Sequence, residues 1–142
     1  MHASIASGLA ALWRLLEEAV KRPPGEAVAA AREGRVYLLD EGLDAWLVRG
    51  RRGDYVVLRG LYCSCPWFQR LLAGTAGKPC YHIVAVELVA RGLEGRARRV
   101  DGAWRDVLLE ALLDGLSRTL RRLELGEDGD GGVGGGSPDV ED

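Results

Sequence analysis

All three cysteines of the chain and one of its two histidines fall within twenty residues: Cys63-Ser64-Cys65, fourteen intervening residues, then Cys80-Tyr81-His82. Three thiolates and an imidazole make a Cys₃His set, which fills a tetrahedral Zn²⁺ site and leaves no open position for water or substrate. The pattern therefore predicts one structural zinc ion held by Cys63, Cys65, Cys80 and His82. The odd cysteine count argues against a disulfide framework.

Each half of the set suits a different local backbone. In a strand, side chains two apart leave on the same face, so Cys63 and Cys65 can aim both sulfurs at one point. Inside a helix, residues two apart lie about 200° apart around the axis, so Cys80 and His82 belong in the turn that enters a helix. Pro79 fits that entry, and Pro66 fits the first position of a short helix over Trp67–Ala73, whose positive end favours an adjacent thiolate.

Cys-x-Cys-x(n)-Cys-x-His resembles the signature of the SWIM-type zinc finger, matched here at Cys63, Cys65, Cys80 and His82. A β-hairpin carrying the first pair and a helix beginning at the second also resemble that family's order of elements, over about Tyr55 to Leu88. The family is thought to bind DNA or other proteins. At 142 residues, the chain is similar in size to the small stand-alone SWIM subunits of Shu-type recombination complexes and their archaeal counterparts. That resemblance implies an adaptor that binds a RecA-like recombinase paralogue, and DNA, in homologous recombination and repair.

With 47% hydrophobic residues the chain is long enough for one domain over residues 1–125 with a modest core that zinc supplements. Its longest apolar stretches, Ile5–Trp13 and Ile83–Ala90, fall well short of a membrane span. The first residues lack the basic start of a secretory leader, and Arg14, Glu17 and Glu18 follow soon after. A cytoplasmic chain with reduced thiols is expected. The net charge of −2 conceals an asymmetry: Glu127, Asp128, Asp130, Asp139, Glu141 and Asp142 put six acids and no base in the last sixteen residues. The body before them holds fifteen acids against nineteen bases, about +4, which is compatible with a polyanionic partner.

Hydrophobic periodicity predicts an α+β fold. Ile5, Leu9, Leu12, Trp13, Leu16 and Val20 mark a first helix over Ser4–Lys21, ended by Pro23-Pro24-Gly25. An alanine-rich helix over Glu26–Glu33 follows. Arg35–Leu39, Ala45–Arg49 and Tyr55–Arg59 then read as a three-stranded antiparallel meander leading into the first cysteine pair. Ile83–Arg91 is apolar nearly all round, as a buried helix would be. Trp104 to Leu123 carries a stripe at three- and four-residue spacing, which predicts one long last helix over Gly102–Leu123. From Gly126 to Asp142 the Gly, Asp and Glu composition predicts a disordered tail.

No enzyme pattern survives inspection. Gly74-Thr75-Ala76-Gly77-Lys78 resembles the end of a phosphate-binding loop, but Leu72 stands where its first glycine belongs and Pro79 replaces the magnesium-binding hydroxyl. No Cys-x-x-Cys redox pair or deaminase motif is present. A non-enzymatic role is expected, and two classes stay open. As a nucleic-acid binder, transcription- or transposon-related in the stand-alone case, the chain would use Arg49, Arg51, Arg52, Arg59, Arg70 and Lys78, interleaved with Tyr62, Trp67, Phe68 and Tyr81. As a protein-interaction module it would use apolar surface that one small sheet cannot cover. An exposed apolar patch favours the second class, and a contiguous basic face with outward rings the first.

Overall fold

The computed structural model describes residues 4–74, 76–100 and 102–125. The predicted tail lies outside the described residues. Eleven elements follow one another: α1 (Ser4–Lys21), α2 (Gly25–Arg32), β1 (Val36–Asp40), β2 (Ala45–Arg49), β3 (Asp54–Leu58), β4 (Tyr62–Cys63), α3 (Pro66–Leu72), α4 (Tyr81–Ala90), β5 (Arg98–Arg99), α5 (Trp104–Asp114) and α6 (Arg118–Glu124). The α+β class predicted from the sequence is the class observed. No described helix is long and apolar enough to cross a membrane.

The sheet has five strands in the order β4-β3-β2-β1-β5, two more than the predicted meander. The central β3-β2-β1 unit is antiparallel, as expected, with Leu47 opposite both Tyr37 and Val56. The added strands are two residues each: β4 antiparallel to β3, and β5 parallel to β1. A pair of residues is too short to show a period of two, so neither strand is visible as a pattern.

Both faces of the sheet are covered, which is why its strands are apolar runs and do not alternate. Val36, Leu38, Trp46, Val48 and Val57 face a cluster built with Leu12 and Leu16 of α1, Ala27, Ala30 and Ala31 of α2, and the apolar residues of α4. Tyr37, Leu39, Ala45, Leu47 and Val56 face a second cluster with Val107 and Ala111 of α5 and Leu120 of α6. The three cysteines belong to the first cluster, so the metal ligands are part of the packing on that side.

The long last helix predicted from the leucine stripe is two helices. Gly115 adopts φ 73°, the left-handed conformation that ends α5. Ser117 then caps α6, its side chain accepting from the Leu120 N–H. The break is fixed from outside as well. Buried Asp54, at the start of β3, accepts from the Ser117 N–H at 2.8 Å and from the Arg121 guanidinium, while its own N–H donates to the Gly115 carbonyl. A side chain at Gly53 would place its Cβ 2.5 Å from that carbonyl, so the residue before Asp54 must stay small.

Candidate metal centre

Four ligands come from three elements. Cys63 ends β4, Cys65 is the residue before α3, Cys80 is the residue before α4, and His82 lies in the first turn of α4. Cys65 and Cys80 are both extended, with ψ 158° and 156°, and Pro66 takes the start of α3 as its fixed φ allows. Each of these cysteines therefore sits at a helix N-terminus, where the partial positive charge favours a thiolate.

Ser64, between the first two sulfurs, holds them in register. Its N–H donates to the Val56 carbonyl and its hydroxyl accepts from the Val56 N–H, both at 2.9 Å, so this residue stays laced to β3 beyond the end of β4. Its role depends on a partner eight residues away across a turn that no local pattern announces.

The donor atoms of Cys63, Cys65, Cys80 and His82 all lie within 4.8 Å of one another, and all four residues are buried. Tetrahedral zinc with bonds of about 2.3 Å to sulfur and about 2.0 Å to nitrogen sets neighbouring donors about 3.5–3.8 Å apart. Cys63 Sγ and His82 Nδ1 are 3.8 Å apart. With three sulfurs, one nitrogen and no carboxylate, the donor set fits a closed zinc site. No other cluster of metal-ligating side chains occurs among the described residues.

Charge explains why these groups need a cation. The Cys65 thiol is pushed far below its ordinary range by hydrogen bonds from Cys63 and Cys80, against the opposing effect of burial. Cys63 is pushed far up by donating to Cys65 and Cys80 and by burial. At Cys80 the hydrogen bond from Cys63 acts downward, but donation to Cys65, burial and the Cys65 charge outweigh it and push the thiol up to about 12. A dication lets all three ionise, leaving a net −1 on the centre.

Aromatic rings close the site. His82 lies between Tyr55 and Tyr81, at centroid distances of 4.4 and 4.1 Å, and Tyr62 meets buried Phe68 edge-on at 5.6 Å. Trp67 points outward and its Nε1–H donates to the Lys78 carbonyl, tying α3 to the loop that precedes Cys80.

The six basic residues singled out from sequence do not form one face of equivalent groups. Arg59 donates both arms of its guanidinium to Glu87, a buried acid on α4. Glu87 also accepts from Arg91, which reaches on to Glu17 of α1. This network braces the β3–β4 turn against α4, and Glu87 was hidden in a segment that reads as apolar nearly all round. Arg49 lies 3.9 Å from Glu124 and accepts through its carbonyl from Arg35. Arg51 and Arg52 are exposed at the β2–β3 turn, Arg70 stacks over Trp67 at 5.6 Å, and Lys78 is exposed on the metal loop.

Comparison with known families matches residues 35–90 to the SWIM zinc finger. The matched span starts before Tyr55 and takes in β1 and β2, so it covers the hairpins that carry the site as well as the ligands. No curated protein and no solved structure matches the chain. A SWIM zinc finger points to zinc binding with a nucleic-acid or protein-interaction role. The match and the buried Cys₃His cluster together support a SWIM-type zinc finger with a single structural zinc ion over this part of the chain.

Proposed function

We propose that this chain is a non-enzymatic, zinc-stabilised adaptor in homologous recombination and DNA repair, binding a RecA-like recombinase paralogue. One observation carries the protein-interaction part: large apolar side chains stay exposed beside the zinc-bearing turn. Trp13 of α1 is 46% exposed and lies against Gly60, where a Cβ would come within 2.8 Å of the indole. Leu61 and Tyr62 continue from that glycine into the ligand Cys63, at 53% and 38% exposure, and Leu9 lies one helical turn from Trp13. A tryptophan at the centre of an apolar rim is the composition of a binding hot spot. The recombinase partner itself rests on the likeness in motif and size to stand-alone SWIM subunits of Shu-type complexes.

The experiment is co-purification of the zinc-loaded chain with the RecA-like paralogue from the same genome. Trp13→Ala should abolish the complex while zinc content stays at one per chain. Absence of a complex with the unsubstituted chain, or one that survives Trp13→Ala, contradicts the reading.

A second reading, direct nucleic-acid binding, is favoured by the outward Trp67 with Arg70 on its ring and Lys78 beside it, and by exposed Arg51 and Arg52. Rings of this kind stack on unpaired bases while cations meet phosphates. Affinity for single-stranded DNA would then fall steeply as salt rises.

A further inference from the structure

Helix α6 lies across one end of the sheet, and its course fixes where the chain beyond it starts. The Ser117 N–H and the Arg121 guanidinium meet Asp54 at the start of β3. About two turns later, Glu124 lies 3.9 Å from Arg49, at the end of β2, and 3.1 Å from Arg98, at the start of β5. With the strands in the order β3-β2-β1-β5, the helix runs from the β3 corner to the β1–β5 corner.

That corner and the neighbouring β2–β3 turn carry excess positive charge. Arg35, Arg49, Arg51, Arg52, Arg96 and Arg98 stand there, against Glu26, Glu33 and Glu124 among the described residues. Glu33 is bound by Arg35, and Glu124 is shared between two arginines. Nearby Arg32 and Glu94 pair with each other. The adjoining α5–α6 turn adds no net charge, since Arg118, Arg121 and Arg122 are matched in number by Asp54, Glu110 and Asp114. Arg51, Arg52 and Arg96 are exposed and make no side-chain hydrogen bond or ion pair with a described residue.

The chain that leaves this corner is acidic. Glu127, Asp128 and Asp130 follow Glu124 by three, four and six residues, so even on a fully extended chain they lie within about 10–20 Å of it. Arg51 and Arg52 follow Arg49 by two and three residues and by the same measure lie within about 10 Å of it. Glu124, beside Arg49, thus delivers three acids to arginines that lack a counter-ion. Eight residues, five of them glycine, separate this group from Asp139, Glu141 and Asp142. A spacer of up to about 30 Å lets the second group reach the same cluster.

We infer that residues 127–142 dock on Arg51, Arg52 and Arg96 within the same chain and screen them from external polyanions. The occupant is this segment because the cluster calls for carboxylates, the segment supplies six and no base, and its point of attachment is a carboxylate already held by two of the arginines. Covalent attachment gives it an effective concentration on the order of millimolar, so loose ion pairs suffice to hold it. The inference stands whether the partner proposed above is a protein or a nucleic acid.

NMR of the zinc-loaded, nitrogen-labelled full chain tests the docking. The comparison is the same chain carrying Glu127→Gln, Asp128→Asn, Asp130→Asn, Asp139→Asn, Glu141→Gln and Asp142→Asn. At about 20 mM salt, where surface charges are poorly screened, the Nε–Hε resonances of Arg51, Arg52 and Arg96 should differ between the two. Residues 127–130 should show the larger heteronuclear Overhauser effect in the acidic chain. Both differences should vanish by about 1 M salt, where the screening length is about 3 Å. Coincident arginine resonances at low salt overturn the inference, and so do differences that survive high salt. Retention on heparin tests the screening. The neutralised chain should elute at higher salt, and most of that gain should be lost when Arg51→Gln and Arg52→Gln are added. A gain of the same size in that background comes from net charge alone and overturns docking on these arginines.

Discussion

Glu87 sets the sign of an acid response at a single residue. It is 1% exposed on a helix with no other acid, and burial by itself would push its carboxyl up. Hydrogen bonds from Arg59 and Arg91, with their charges, outweigh burial and hold it below the ordinary value of 4.5. A depressed folded-state value means that the stabilisation is complete above about pH 4.5 and is lost as pH falls through the folded value. Glu87→Gln should therefore cost about 2 kcal/mol at pH 7 and flatten the acid limb of the stability curve. That is below the usual cost of a broken buried pair, because both arginines keep contact with water. Urea unfolding of the two proteins at pH 7 and pH 3 checks this, and parallel curves would contradict it.

At the scale of elements, the α5–α6 break shows what periodicity hides. Leucines continue at helical spacing through Asp114-Gly115-Leu116-Ser117, so the stripe reads as one helix. Two local features, a left-handed glycine and a serine cap, override it together with the reach of nearby Glu110 and of distant Asp54 onto the turn. Glu110 accepts from the Ser117 hydroxyl, the Thr119 N–H and the Thr119 hydroxyl. Ser117→Ala removes the cap and one of those bonds, and should destabilise by about 1–2 kcal/mol. Thermal unfolding followed by circular dichroism measures it, and an unchanged midpoint would mean that Asp54 and the Glu110–Thr119 bonds hold the turn without the cap. The zinc ligands were legible for the opposite reason: their chemistry is rare and their spacing short. β4, β5 and the Arg59–Glu87 pair were not, since each depends on a neighbour supplied by the fold.

For the whole molecule, the two core clusters divide the consequences of losing metal. Cys63, Cys65 and Cys80 pack in the cluster shared by α1, α2 and α4, while α5 and α6 pack on the other face of the sheet. Chelation removes the shared bond that gathers the Cys63, Cys65, Cys80 and His82 side chains of β4, α3 and α4 at one point. Hydrogen exchange after chelation should show protection lost first from Tyr62 to Leu88, with the amides of α5 more slowly affected. Uniform loss across the chain would instead make zinc a condition for the entire fold. The account rests on one ion bound by Cys63, Cys65, Cys80 and His82. X-ray absorption at the zinc edge of the purified chain tests it most directly. It should give one zinc per chain with three sulfur neighbours and one nitrogen, whereas substoichiometric metal or an oxygen neighbour in the first coordination sphere would contradict it.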